Sequence, residues 1–120
     1  MRILIADDSL SIRQSLRFIL EQKGYHVVEA IDGEGALEKL HQLPFDCIIT
    51  DINMPKLNGI EFIEKARSTK AGKYIPILVL TTETQRQLLE KGKKAGATAW
   101  IIKPFNNEKL LTALKKILNS

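Results

Sequence analysis

Two adjacent acids, Asp7 and Asp8, follow the apolar run "RILIA", and a third, Asp51, follows "CIIT". Thr81 closes "IPILVLT", and Lys103, itself followed by Pro104, comes after "AWII". Singly, each has an ordinary explanation: a helix cap, a turn former, a β-branched strand residue, a surface charge. Together they set three carboxylates, a hydroxyl and an ammonium at the ends of aliphatic segments, which capping does not explain. Carboxylates brought together repel one another unless a cation or ligand offsets the charge. A hard divalent cation with oxygen ligands does this. Mg²⁺ suits the task because it takes few carboxylates, keeps some waters and leaves room for a phosphoryl oxygen. Beside such an ion Asp51 is a candidate nucleophile that takes up a phosphoryl group. Charge developing on the transferred group needs a cation and a hydrogen-bond donor, and Lys103 and Thr81 supply them.

That chemistry requires elements that bring five separated positions to one place. Five segments rich in aliphatic and β-branched residues recur: residues 2–6, 26–30, 47–50, 75–81 and 99–102. Helical patterns lie between them. Ile12, Leu16, Ile19 and Leu20 share one helix face, with Ser9 as N-cap and Gly24 as the stop. Leu110, Leu114, Ile117 and Leu118 repeat the pattern after Asn106 or Asn107. Helices over about 33–41, 58–67 and 84–95 complete the alternation. The last of these has a thin apolar face and an internal Gly92, a residue about 1 kcal/mol worse than alanine in a helix. It is expected to be the most mobile. Strict alternation predicts an α/β, doubly wound five-stranded parallel sheet with five helices in a single domain, covered on both faces. In such sheets ligands bind beyond the carboxyl ends of the strands, where the five residues fall.

Composition narrows the classes. A chain of 120 residues with 44% hydrophobic and 27% charged residues fits one globular domain. No apolar run approaches the length of a membrane span. The N-terminus turns acidic at once, unlike a signal peptide. The lone Cys47 lies in an apolar run and reads as a small core residue. A cytoplasmic protein is expected. The net charge of +4 is mild and points to no nucleic-acid partner.

The motifs "ADDS", "TDINMPKLNG", "LTTE" and "IIKPF", in this order and spacing, resemble the receiver domain of two-component response regulators. The likeness spans residues 1–120 and is nearest to stand-alone, CheY-type chemotaxis regulators without an output domain. It implies a flavodoxin-like strand order of 2-1-3-4-5. It makes Asp51 the phosphoacceptor, and Asp7, Asp8, Asp51 and the main-chain carbonyl of Asn53 the Mg²⁺ ligands. Lys103 becomes the phosphate partner, before a Pro104 that in the family follows a cis peptide bond. Thr81 becomes the switch hydroxyl, and Trp100 takes the place of a switch aromatic that is usually Tyr or Phe. Asn53 and Glu83 occupy the two positions that tune self-catalysed dephosphorylation. The implied partners are a sensor histidine kinase as phosphodonor and a protein target such as the flagellar motor switch. The target docks on the face of helix four, strand five and helix five, where Lys91, Lys93, Lys94, Lys109, Lys115 and Lys116 cluster. A monomer is expected.

Other readings stand beside this one. A phosphorelay intermediate of the sporulation type uses the same residues. A small-molecule phosphohydrolase with an aspartate nucleophile needs a substrate pocket, for which the chain has no spare length. A flavin-binding electron carrier needs a phosphate cradle after the first strand, where two aspartates stand instead. Direct DNA binding is not expected, because no residues remain for an effector domain.

Overall fold

The computed structural model describes residues 1–119. The aliphatic runs form strands β1 (Arg2–Ala6), β2 (His26–Ala30), β3 (Cys47–Thr50), β4 (Ile77–Thr81) and β5 (Ala99–Ile102). Helices α1 (Leu10–Gln22), α2 (Gly33–Gln42), α3 (Gly59–Arg67), α4 (Arg86–Ala95) and α5 (Asn107–Leu118) connect and follow them. All strands are parallel, in the order β2-β1-β3-β4-β5. This is the order that the resemblance implied. Because neighbouring strands run the same way, β1, β3, β4 and β5 all end on one edge.

Successive side chains of a strand point to opposite faces, so β1 feeds two separate cores. Ile3 and Ile5 join Cys47, Ile49, Leu78 and Leu80 beneath α1 and α5, against Leu16, Leu20, Leu110 and Leu114. Leu4 and Ala6 join Ile48, Ile77 and Val79 on the other face, against Leu40, Phe62, Ile63 and Ala66. The residues of β3 and β4 are all buried, which explains their unbroken apolar runs. Cys47 is a core residue, as expected, and burial pushes its thiol up to about 12.

The caps follow the sequence closely. Ser9 accepts a hydrogen bond from the Ile12 amide, and Gly24 turns the chain after α1 at φ +87°. Asn106 caps α5, and Asn58 caps α3 with a reciprocal capping box to Glu61. Two boundaries differ from expectation. β4 begins at Ile77 because Pro76 has no amide to donate, while the Ile75 carbonyl accepts from Arg67 Nη1 at 2.6 Å. α4 begins at Arg86 because Glu83 Oε1 instead accepts the Gln85 amide at 2.9 Å, holding residues 83–85 in a turn. No helix among the described residues is long and apolar enough to cross a membrane.

Candidate functional site

The sheet edge collects the expected residues. Each of Asp7, Asp8 and Asp51 offers a carboxylate oxygen, and these atoms all lie within 4.8 Å of one another. Asp7 and Asp51 are buried and Asp8 is exposed. The backbone sets this arrangement: Ala6 pairs with Thr50 in the β1–β3 ladder, and the Asp51 amide donates to the Ala6 carbonyl at 2.9 Å. The two tips are thereby in register.

Lys103 reaches the same point from the far end of the chain. Its Nζ donates to Asp7 Oδ2 at 2.8 Å and to Asp51 Oδ2 at 3.0 Å. The Lys103 amide donates to the Thr81 carbonyl at 2.8 Å, so β4 fixes the root of the side chain. The Lys103–Pro104 peptide is cis, as in the pattern the sequence resembles. Burial by itself would lower the Lys103 pKa, but the hydrogen bonds and charges of Asp7 and Asp51 outweigh it. The ammonium is held above the ordinary lysine value of 10.5. The acidic cluster is therefore less repulsive than three carboxylates alone, because Lys103 already pairs two of them.

Asp51 is held from its other oxygen as well. Oδ1 accepts from the Ile52 amide at 2.6 Å and from the Asn53 amide at 3.3 Å. Both oxygens of the carboxylate have partners, which fixes its plane. Gly59, the first residue of α3, is pressed against the backbone of Asp51 and Ile52, and its amide donates to the Ile52 carbonyl at 2.8 Å. Asp8, by contrast, makes no hydrogen bond or ion pair among the described residues. The set of three oxygen donors, one of them uncommitted, fits a hard cation such as Mg²⁺.

The remaining candidates lie around this centre. Thr81 is fully buried at the tip of β4, and its Oγ1 accepts from the Glu83 amide at 3.1 Å. The hydroxyl proton stays available for a new acceptor. Asn53 is exposed in the loop after Asp51. The Glu83 carboxylate is turned to the Gln85 amide at the start of α4.

Trp100 is not at the edge. It pairs with Val79 in the interior of the β4–β5 ladder and packs on the core beside Leu88, Ala95 and Ala97. Its Nε1 is buried without a hydrogen-bond partner. Gly92 is the one buried residue of α4, and a Cβ there would stand 2.5 Å from Trp100 Cζ3. The glycine that weakens the helix in sequence terms is what lets α4 lie on the indole. Gly92→Ala is accordingly expected to displace the ring and red-shift the emission of the single tryptophan. An unchanged spectrum, with the gain of about 1 kcal/mol that helix propensity alone would bring, would show that ring and helix are not in contact.

Sequence reasoning passed over Arg13, which is buried on α1. Its Nε donates to Glu29 Oε1 at 2.9 Å and its Nη1 to the Asp7 main-chain carbonyl at 2.8 Å. A signal was present: Arg13 stands three and seven residues before Leu16 and Leu20, a cation within the apolar stripe.

Comparison with known proteins agrees with this geometry. The family model described as response regulator receiver domain matches residues 3–115. The chain is 35% identical to the chemotaxis protein CheY of Pseudomonas aeruginosa, over 98% of this chain and 95% of that protein. Among solved structures, the Vibrio cholerae chemotaxis protein CheY4 superposes with a TM-score of 0.92 at 46% identity, covering 97% of each chain. The receiver domain of a sensor histidine kinase, PA1611 of Pseudomonas aeruginosa PAO1, superposes with a TM-score of 0.92 at 26% identity. It covers 99% of this chain and 98% of that one, and is described with a magnesium ion coordinated in its active-site cleft. The order of the strands, the acids and lysine at their tips and these matches lead to one conclusion: the chain belongs to the response regulator receiver domains.

Proposed function

We propose that the protein is a phospho-switch in which Asp51 takes a phosphoryl group from a histidine kinase in a Mg²⁺-dependent reaction. The observation that carries this reading is the doubly held Asp51 carboxylate, grouped with Asp7 and Asp8 and bonded to Lys103. Asp7, Asp8, Asp51 and the main-chain carbonyl of Asn53 would hold the ion. When bound, Mg²⁺ supplies positive charge against the phosphoryl oxygens. The magnesium described in the PA1611 receiver supports the same role here.

The chain's own residues do the rest. An Asp51 carboxylate oxygen attacks phosphorus in line, forming the oxygen–phosphorus bond as the phosphorus–nitrogen bond of the donor phosphohistidine breaks. The imidazole leaves with a solvent proton. Ile52 and Asn53 amides keep the carboxylate oriented, so little conformational freedom is lost at the moment of reaction. Lys103 Nζ neutralises charge gathering on the equatorial oxygens. Thr81 then rotates about its Cα–Cβ bond, carrying Oγ1 and its free proton toward the phosphoryl group. That movement breaks its bond to the Glu83 amide and loosens the turn that starts α4. Trp100 and the α4–β5–α5 face respond, and a protein target docks there.

Chemotactic control of a flagellar motor switch is the favoured output, supported by the CheY relatives that match over nearly their whole length. Water held by Asn53 and Glu83 resets the switch by hydrolysis. The protein works as a monomer in the cytoplasm.

The test is direct. With Mg²⁺ and acetyl phosphate, mass spectrometry should find one phosphoryl adduct, stable to acid and labile to base. It should vanish in Asp51→Asn and without Mg²⁺. An undiminished adduct in Asp51→Asn would sink the assignment.

A further inference from the structure

We propose that Arg13 is the positioning residue for the metal-binding carboxylate of Asp8, acting through the peptide that joins Asp7 to Asp8; this rests on the Mg²⁺ reading above. Asp8 is the donor that no group among the described residues orients. Its carboxylate has no hydrogen bond or ion pair among the described residues. Its direction therefore depends on the backbone that carries it. That backbone leaves β1 at the very point where the ladder ends.

The Asp7 amide is held by the Ala30 carbonyl of β2 at 3.1 Å, the last main-chain bond on that side. The next peptide, between Asp7 and Asp8, has its carbonyl outside any ladder. Arg13 Nη1 captures that carbonyl at 2.8 Å, within a buried setting. The Asp7 carboxylate is fixed separately, by the Ser9 amide at Oδ1 and by Lys103 at Oδ2. Arg13 is thus what sets the plane of the peptide from which Asp8 projects.

A guanidinium beside a cation site is unusual unless its own charge is balanced. Glu29 supplies the balance: its Oε1 accepts from Arg13 Nε at 2.9 Å and its Oε2 from Arg17 Nε at 2.6 Å. Burial would raise the Glu29 pKa, but the bonds to Arg17 and Arg13 outweigh it and hold the carboxyl below its ordinary range. Glu29 stays ionised, anchors the guanidinium to β2 and offsets its charge. Groups that orient a ligand-bearing residue without touching the metal themselves tune its affinity.

Arg17 provides the internal comparison. It shares Glu29 and also bonds Glu21 at 3.2 Å, yet it makes no bond to Asp7. A role for the pairs in stability alone predicts that Arg13 and Arg17 behave alike. Positioning predicts that only Arg13 affects the metal. The experiment measures Mg²⁺ affinity by calorimetry on the full chain, with urea stability taken separately in the absence of Mg²⁺. Arg13→Met should weaken Mg²⁺ binding about tenfold. Arg17→Met, whatever its stability, should stay within twofold of wild type. The Arg13→Met rate with acetyl phosphate should recover at saturating Mg²⁺. Arg13→Lys serves if the methionine variant does not fold, and is judged by the same loss of affinity. An unchanged affinity in the folded Arg13 variant, or an equal loss in Arg17→Met, overturns the proposal. Wild-type protein that binds no Mg²⁺ overturns the metal reading itself, which is a different result.

Discussion

Gly59→Ala is expected to lower the unfolding free energy by about 3 kcal/mol, the upper end of what overpacking does, and to slow phosphorylation of Asp51 in the same variant. Gly59 is buried at the first turn of α3, and an added Cβ would overlap the Asp51 carbonyl oxygen. It would also stand 2.8 Å from the Asp51 carbonyl carbon and from Ile52 Cα. All of these are main-chain atoms at the end of β3, so no side chain can rotate away to make room. Either α3 shifts outward, losing the Gly59 amide bond to Ile52, or β3 shifts and takes the Asp51 carboxylate with it. Both loosen the two amides that orient Asp51. Gly24→Ala is the comparison: that glycine has φ +87° and open space around it, so only backbone strain of about 1 kcal/mol is expected. Urea denaturation and the phosphorylation rate distinguish the two. If Gly59→Ala behaves like Gly24→Ala, α3 does not seat on the phosphorylation loop as described.

Lys103→Met is expected to destabilise the Mg²⁺-free protein by about 3 kcal/mol, the range for removing one partner of a buried ion pair. Its ammonium bonds both Asp7 and Asp51, and the side chains of the three are 10%, 3% and 9% exposed. Without it, two buried carboxylates face each other and Asp8 with no compensating charge. The deficit should shrink when Mg²⁺ is added, because the variant no longer opposes the metal with a positive charge and gains more from binding it. The pH dependence has a definite sign. The Lys103 pKa is raised in the folded state, so its stabilising effect is complete below the ordinary value of 10.5 and is lost as pH rises through the higher folded value. The gap between wild type and Lys103→Met should therefore hold across neutral pH and close in strongly alkaline solution. A gap that Mg²⁺ leaves unchanged would mean that Lys103 and the ion do not share the same carboxylates.

Much of this architecture was written locally in the chain. The strands at residues 2–6, 26–30, 47–50 and 99–102 appear where the aliphatic runs stand, because each run supplies apolar side chains to the cores on the two faces of the sheet. Ser9, Asn58 and Asn106 cap helices with their own side chains, an interaction that spans only three residues. The tips of a parallel sheet necessarily share an edge, so Asp7, Asp8, Asp51, Thr81 and Lys103 could be grouped before any distance was known. By itself, then, the sequence determined the fold class and which acids, hydroxyl and lysine stand at the shared edge of the sheet.

What tertiary structure decided are contacts between positions far apart in the chain, for which no local pattern exists. Lys103 lies 96 residues from Asp7, and only the folded sheet shows its ammonium bonding two carboxylates and reducing their repulsion. Gly92 reads as a weak point of α4 in one dimension and proves to be the seat of the Trp100 ring in three. Gly59 reads as a helix start, and its close approach to Asp51 depends on how α3 folds back over β3. Arg13 joins α1, β2 and the end of β1 through hydrogen bonds whose partners are separated by 6 and 16 residues. Residue type and spacing state which groups are available; only packing states which of them touch.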